Sequence, residues 1–253
     1  MDLWKYFAIG HEPHLFCNPL SEAKVDELIA LFALSNEARV LDIACGKAEF
    51  LVRTVKRWNC SAVGVDISPY FVAVAREKVE AAGLEPAIEI VEADGSEYSG
   101  KPSSFDAAVC LGASWIWGGL EGTLRALSSW AKPGGLVVVG EPFWRRAPSR
   151  DHLEAAELTE SSFSTHFGNA QTGLGLGLGL LHTIVSSEDD WDQYESYQWY
   201  AAERYSRGNP GDPDVLELIA KVRKARDRYL QWGRREIGWS VYLFVKDPFQ
   251  PAA

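Results

Sequence analysis

Glycine and carboxylate residues recur where short apolar runs end, and their types suit the binding of a polar ligand. The run RVLDI is followed by ACGKAE, so that Gly46 lies in a tight turn that opens a helix. Glycine lets the backbone approach a ligand closely, and the free amide groups at a helix start can hold a polar group. This turn is a candidate binding site, although a single turn glycine occurs in any fold.

Two aspartates stand at the ends of the next two apolar runs. Asp66 ends VGVD about twenty residues beyond Gly46, where an acidic side chain can accept hydrogen bonds from both hydroxyls of a ribose. Asp94 ends VEAD, where its carboxylate can accept a hydrogen bond from an adenine amino group, and Gly95 lets the backbone pass close to the ring. Each aspartate alone is typical of a helix cap or turn. Together the three signals favour a ligand.

Further polar and aromatic residues lie where they can face a substrate. Glu141 directly follows the run GLVVVG, so burial can desolvate its carboxylate, and it is our first candidate for orienting or deprotonating a substrate. His14 is the second, because histidine titrates near neutral pH, but a lone histidine is more often a packing or capping residue. The remaining candidates for substrate contact are Asn18, Trp115, Trp117, Phe143 and Trp144.

A parallel sheet is the element that must position these residues. Strand-like runs at 39–44, 61–65, 87–92, 105–111 and 135–140 alternate with helical patterns, and two more runs, LHTIVSS and 239–245, follow. Continuous apolar strands with helical crossovers predict an α/β fold: a Rossmann-like, doubly wound sheet of about seven mostly parallel strands, with a helical insertion before the last one. The carboxyl ends of the strands then form one ligand-binding edge.

Charge and composition exclude several partners. The chain has 25 basic and 35 acidic residues, and the resulting net charge of −10 disfavours nucleic acid and anionic membranes. Its four cysteines are widely spaced, which predicts neither a metal site nor a disulfide framework. No run has the length and apolarity of a signal peptide or a membrane span. We therefore expect a soluble, cytoplasmic protein.

Four segments in order, VLDIACGKAEFL, VGVDISP, EADG and FDAAVC, resemble the motifs of class I S-adenosylmethionine-dependent methyltransferases over about residues 36–145. The resemblance implies this cofactor and a role for each matching residue. It assigns the methionine part to Asp42, Ala44, Gly46 and Leu111, the ribose to Asp66, and the adenine to Ile67, Asp94 and Gly95. Wider stretches, among them LGASWIWGGL and SWAKPGGLVVVGEPFWR, resemble a small bacterial subgroup whose substrates are unassigned.

Two other functions stay open beside methyl transfer. A nicotinamide-dependent oxidoreductase shares the sheet and the acidic ribose contact, but it needs a GxGxxG turn that ACGKAE does not supply. A binding module without catalysis also fits, because Ala44 and Ala48 replace the outer glycines of the methyltransferase turn.

The chemistry of the acceptor is less defined than the cofactor. Methyl transfer from a sulfonium needs alignment, and a base only if the acceptor carries a proton. The acidic charge and the aromatic residues favour a small-molecule acceptor over nucleic acid. Whether O, N, S or C is methylated, and the oligomeric state, stay undetermined.

We interpret the chain, residues 1–253, as a single methyltransferase domain. Its predicted parts are an N-terminal cap segment (1–35), a cofactor-binding core (36–187), a helical lid insertion (188–238) and the last strand (239–247). Within the insertion, three aromatic residues are candidates for the wall of the substrate pocket, although aromatic residues at helical spacing usually serve packing. They are Trp191, Tyr194 and Tyr197.

Overall fold

Seven strands form one sheet at the centre of the computed structural model, which describes residues 1–246. The strands are β1 Arg39–Ile43, β2 Ser61–Asp66, β3 Ile88–Glu92, β4 Phe105–Leu111, β5 Ala131–Trp144, β6 Leu178–Val185 and β7 Ile237–Lys246. Their order is β3-β2-β1-β4-β5-β7-β6; β1 to β5 are parallel, and β7 is antiparallel to both neighbours. The predicted Rossmann-like doubly wound sheet is therefore confirmed.

Helices cover both faces of this sheet. They are α1 Leu3–Gly10, α2 Glu22–Leu31, α3 Glu49–Trp58, α4 Pro69–Ala81, α5 Leu120–Trp130, α6 Arg150–Ala156, α7 His166–Gly175, α8 Glu188–Gly208, α9 Val215–Arg228 and α10 Arg234–Glu236. Successive residues of β1, such as Val40 and Leu41, are fully buried in two hydrophobic clusters on opposite faces. A strand buried on both faces has a continuous apolar sequence, which is why periodicity located these strands.

The last strand begins earlier than its sequence indicates. We predicted residues 239–247, whereas β7 starts at Ile237, and Asp247 and the residues after it lie outside the described part of the chain. The cause is β5, which continues beyond Gly140 to Trp144 and pairs there with Ile237. Antiparallel pairing satisfies backbone groups along this extension, so both strands lengthen together.

The predicted helical insertion before β7 consists of α8 to α10. A capping box between Ser187 and Asp190 starts α8, and Leu218 and Val222 of α9 form a small buried cluster with Ala202 of α8. Helix α1, which periodicity did not predict, contacts both α4 and α8. Between residues 1 and 246, no helix has the length and apolarity needed to span a membrane.

Candidate active site

The turn between β1 and α3 holds three residues in the left-handed conformation. Ala44, Gly46 and Ala48 have φ of 60°, 55° and 58°, a region that costs a residue other than glycine roughly 1–2 kcal/mol. The N–H of Gly46 donates to Oδ2 of Asp66 at 2.8 Å, and the N–H of Ser68 donates to Oδ1 at 2.9 Å. Asp66 therefore ties this turn to the end of β2, and each of its oxygens keeps a lone pair for a ligand.

Two buried carboxylates lie side by side at the ends of β1 and β2. Burial raises the pKa of Asp66, and the two backbone N–H groups partly oppose the shift. Asp42 is 3% exposed, and its Oδ1 has no hydrogen-bond partner within residues 1–246. Burial together with the charge of Asp66 raises the pKa of Asp42 well above the ordinary value. A ligand that is cationic or rich in donors would stabilise both carboxylates. Across residues 1–246, no three His, Cys, Asp or Glu side chains are grouped as metal ligands.

A narrow space of about 40 Å³, here called the turn crevice, lies over this turn. Asp42, Ala44, Gly46 and Leu111 line it, so the structure brings the four residues assigned to the methionine part together. The N-terminal residues 15–18 form the opposite wall.

Lys47 fastens the N-terminal segment to the turn, a role that the sequence analysis missed. Its Nζ donates to the carbonyl oxygens of His11 at 2.8 Å and Glu12 at 3.3 Å, and also to that of His14. The side chain is buried, and this burial lowers the pKa of its ammonium group. One sequence feature indicated this role, namely that a lysine stands next to a glycine inside a tight turn.

The residues assigned to the adenine lie at the open end of the same edge. Asp94 accepts hydrogen bonds from the N–H and Oγ of Ser96 at 2.8 and 2.7 Å, which lower its pKa. Gly95 is a required glycine, since a Cβ there would lie 2.5 Å from Cγ2 of Ile43. Ile67 is 40% exposed, so its side chain is free to pack against a flat ring.

A larger cavity of about 610 Å³, here called the Glu141 cavity, adjoins the turn crevice. Five of the predicted substrate-site residues line it: Asn18, Trp115, Glu141, Trp191 and Tyr194. Its wall is completed by Cys17, Pro19, Gly112, Ser114, Gly118, Gly119, Pro142, Ser162, Phe163, Ile237 and Trp239. Residues from six regions of the chain thus converge on one space at the carboxyl edge of the sheet.

Among residues 1–246, Glu141 is the one carboxylic acid in the wall of this cavity. The side chain is 8% exposed, and Oε2 has no hydrogen-bond partner among the described residues. Burial raises the pKa of Glu141 to about 7, with the neighbouring Ser114 hydroxyl acting in the opposite direction. A carboxyl group that titrates near neutral pH is suited to taking up and releasing a proton during a reaction.

Two N-terminal histidines lie behind the cavity wall. His11 Nδ1 donates a hydrogen bond to the Phe7 carbonyl oxygen at 3.0 Å. In the neutral ring Nε2 therefore carries no proton, and it accepts a hydrogen bond from the Tyr194 hydroxyl at 2.9 Å. Burial lowers the pKa of His11 to about 4, which keeps the ring neutral. His14 donates from Nε2 to the Tyr194 carbonyl at 2.9 Å and does not line the Glu141 cavity. The structure therefore gives His14 a packing environment instead of access to this cavity.

Four other predicted substrate contacts also lie outside the cavity wall. Trp117 packs edge-on against Trp130, Phe143 packs against His166, and Tyr197 packs edge-on against His14. The Trp144 indole N–H donates to the Glu160 carbonyl at 2.9 Å. The predicted strand end at Gly140 lies inside β5, so Phe143 and Trp144 are buried strand residues that pack within the fold.

Trp239 is a cavity residue that the sequence analysis missed. A Cβ added to Gly140 would lie 2.2 Å from the nearest atom of the Trp239 ring, so the ring needs a glycine at this position. A Cβ added to Gly112 would lie 3.8 Å from the same ring. In the sequence, only these two glycines indicated that a large side chain packs near the ends of β4 and β5. The ring that uses the space comes from β7, whose register against β5 is set by pairing across the sheet.

Comparison with known proteins gives consistent matches. The family described as a methyltransferase domain matches residues 40–135. The uncharacterized protein YjhP of Escherichia coli strain K12 is 29% identical over 97% of this chain and 99% of its own length. A methyltransferase from Thiobacillus denitrificans, crystallised with S-adenosylhomocysteine, is 31% identical, with a TM-score of 0.89 over 96% of this chain and 99% of its own. One from Geobacter sulfurreducens, with the same ligand, is 29% identical, with a TM-score of 0.89 over 95% and 97% of the two chains.

Proposed function

This chain belongs to the class I S-adenosylmethionine-dependent methyltransferases, and on that premise we propose that it methylates a small molecule bound in the Glu141 cavity. S-adenosylmethionine is its cofactor, as the motifs predicted, and supplies an electrophilic methyl group on a sulfonium. The family membership favours neither a nicotinamide-dependent oxidoreductase nor a module without catalysis.

The residues around the turn fit this cofactor. Asp66 keeps free lone pairs for the ribose hydroxyls, and the unpartnered Oδ1 of Asp42 suits the cationic methionine part. Gly95 leaves room for a close approach at the adenine end, where Ile67 is exposed. The proposed binding residues are therefore Asp42, Ala44, Gly46, Asp66, Ile67, Asp94, Gly95 and Leu111.

One observation carries the proposal for the acceptor: the turn crevice and the Glu141 cavity share Cys17 and Asn18 as a common wall. At the end of β4, Leu111 lines the crevice and the next residue, Gly112, lines the cavity. A cofactor in the first space and an acceptor in the second would meet at this boundary, as an in-line transfer requires. Glu141 is proposed to orient the acceptor and to take its proton.

The helical insertion is proposed to form one wall of the acceptor site. Trp191 and Tyr194, both near the start of α8, line the Glu141 cavity. A substituent on the acceptor would therefore contact this helix, and its shape would influence which acceptors fit. Tyr197 and His14 support this wall from behind through their ring contact.

The test uses purified protein and S-adenosylmethionine labelled in its methyl group, incubated with a bacterial extract. The extract is separated by ultrafiltration into small molecules, protein and nucleic acid. We expect a labelled compound other than S-adenosylmethionine in the small-molecule fraction, absent without the enzyme and reduced with Glu141→Gln, whereas the exposed control Glu121→Gln should be unchanged. Enzyme-dependent transfer of label only to protein or nucleic acid would overturn the small-molecule proposal. Titration with S-adenosylhomocysteine and NADH, with only NADH bound, would contradict the cofactor.

A further inference from the structure

The described wall of the Glu141 cavity, within residues 1–246, is acidic and contains no cationic side chain. Among the residues that the structure describes, no Lys, Arg or His lines this cavity, and Glu141 is its one carboxylic acid. The adjoining turn crevice contains Lys47, but three backbone carbonyls already hold its ammonium group. An anionic group in the cavity would therefore lie near a carboxyl and find no cationic side chain in the described wall to pair with, which is unfavourable.

Two side-chain oxygens in the described part of the wall are hydrogen-bond acceptors without a partner. Asn18 Nδ2 lies 3.5 Å from the Leu111 carbonyl, which fixes the orientation of the amide and leaves its Oδ1 without a partner. Oε2 of Glu141 is also unpartnered. The Tyr194 hydroxyl directs its proton to His11, so its oxygen offers lone pairs. The Trp191 indole N–H is the one unpartnered donor among these buried side chains.

Aromatic rings supply the remainder of the enclosure. Trp115, Trp191, Tyr194 and Trp239 come from three different elements and line the same space as Phe163. The faces of such rings attract a cation, and the attraction is stronger where water is excluded. Trp115 is 69% exposed although it lines the cavity, so a bound ligand can cover a ring that otherwise faces water.

From these observations we infer that the methyl acceptor is an amine without a phosphate or carboxylate group. The inference deepens the proposed function and depends on it. Several lone pairs, a buried carboxyl group and aromatic faces suit an N–H-rich, cationic or readily protonated group. A phosphate or carboxylate would instead require the arginine or lysine that this wall lacks.

Methylation of an amine in this cavity requires only Glu141 as a proton acceptor and the methyl group of the cofactor. An amine that enters as an ammonium ion first gives one proton to the Glu141 carboxylate, which frees the nitrogen lone pair. That lone pair forms the new N–C bond while the S–C bond breaks, and the electron pair of the broken bond stays on sulfur. The methylated nitrogen becomes a cation, and Glu141 releases its proton to solvent once the product leaves. No oxidant or further reactant is needed.

The first test measures the charge of the labelled product. The labelled product is first separated from unreacted S-adenosylmethionine, itself a cation, by reversed-phase chromatography, and is then passed over cation- and anion-exchange resins at mildly alkaline pH. Retention on the cation exchanger is expected. Retention on the anion exchanger, or passage through both resins, would overturn the inference while leaving small-molecule methylation standing. No labelled small molecule, with S-adenosylhomocysteine still bound, would refute the proposed function itself.

The second test needs no turnover and uses four probes with one ring and different charges. Phenethylamine, phenethyl alcohol, hydrocinnamate and phenethyl phosphate are titrated by calorimetry into the complex with S-adenosylhomocysteine. Phenethylamine should bind most tightly, and Glu141→Gln should weaken it roughly tenfold or more, because a charge-assisted hydrogen bond is lost. The exposed control Glu121→Gln should match the unaltered protein. Phenethylamine binding no stronger than that of hydrocinnamate would overturn the inference, whatever the first test gives.

Discussion

Replacing Glu141 by glutamine should make the stability of the protein less sensitive to pH. Glutamine has nearly the same shape but cannot ionise, so the variant removes the cost of holding a carboxylate in a desolvated wall. The side chain is 8% exposed, and burial raises its pKa from the ordinary value of 4.5 to about 7. The carboxylate form is therefore disfavoured in the folded protein relative to the unfolded chain.

The sign and size follow from linkage. A carboxyl whose pKa is higher in the folded state binds its proton more tightly there, so stability is greatest below about pH 4.5 and falls as the pH rises to about 7. The difference between a pKa of 4.5 in the unfolded chain and about 7 in the folded protein corresponds to a loss of about 3 kcal/mol in the free energy of unfolding. Glu141→Gln has no carboxyl to ionise and avoids this loss of stability. The difference in free energy of unfolding between the variant and the unaltered protein should therefore increase by about 3 kcal/mol, in favour of the variant, from pH 4.5 to 8.

Urea denaturation at several pH values measures this difference. Asp42 and Asp66 also have raised pKa values, but both are present in the two proteins, so most of their contribution cancels. If the glutamine amide destabilises the folded protein by an amount that is independent of pH, the plot of unfolding free energy against pH moves down without changing its slope. Glu121→Gln, at an exposed site on α5, controls for loss of surface charge. A difference between Glu141→Gln and the unaltered protein that does not change with pH would refute the reasoning.

Four further predictions follow from the site. Asp66→Ala should weaken S-adenosylhomocysteine binding by roughly 2 kcal/mol or more in calorimetry, because charge-assisted hydrogen bonds are lost. Glu141→Gln should lower kcat much more than affinity for S-adenosylhomocysteine, as expected for a group that acts on the acceptor. Tyr194→Phe and Trp191→Phe should each raise the acceptor KM or lower kcat, with cofactor affinity nearly intact. Ala48→Gly should leave stability within roughly 0.5 kcal/mol of the unaltered protein, since relief of the left-handed strain offsets both the added entropy of the unfolded glycine and the loss of a fully buried methyl group.

Matched variants separate these effects from general damage. Unchanged affinity in Asp66→Ala would contradict the ribose assignment. Tyr200→Phe changes a 60% exposed ring of α8 and should leave kinetics and melting temperature unaltered. Normal kinetics in Tyr194→Phe with a lower melting temperature would indicate that its hydroxyl only stabilises the fold through His11. Ala126→Gly, in the body of α5, should lower stability by roughly 1 kcal/mol, and an equal loss in Ala48→Gly would contradict the strain at the turn.

Local sequence patterns determined the sheet and the place of its ligand edge. Parallel strands buried on both faces are continuous apolar runs, and residues at their carboxyl ends must share one edge whatever the rest of the chain does. The turn at Gly46 and the aspartates at 66 and 94 could therefore be selected, and the structure places them along that edge. The left-handed conformations of Ala44 and Ala48 also agree with their place at two glycine positions of the motif.

Only the tertiary structure decided which side chains share the Glu141 cavity. Trp239 reaches it through the antiparallel register of β7 against β5, and the Tyr194 hydroxyl is oriented by His11, 183 residues earlier in the chain. The hold of Lys47 on the N-terminal segment is likewise a contact between distant parts of the chain. The residues at the end of a strand can be predicted because their burial and backbone geometry depend largely on neighbouring residues. Contacts between distant segments depend on register, helix packing and side-chain direction across the whole fold, so the spacing of nearby residues does not predict them.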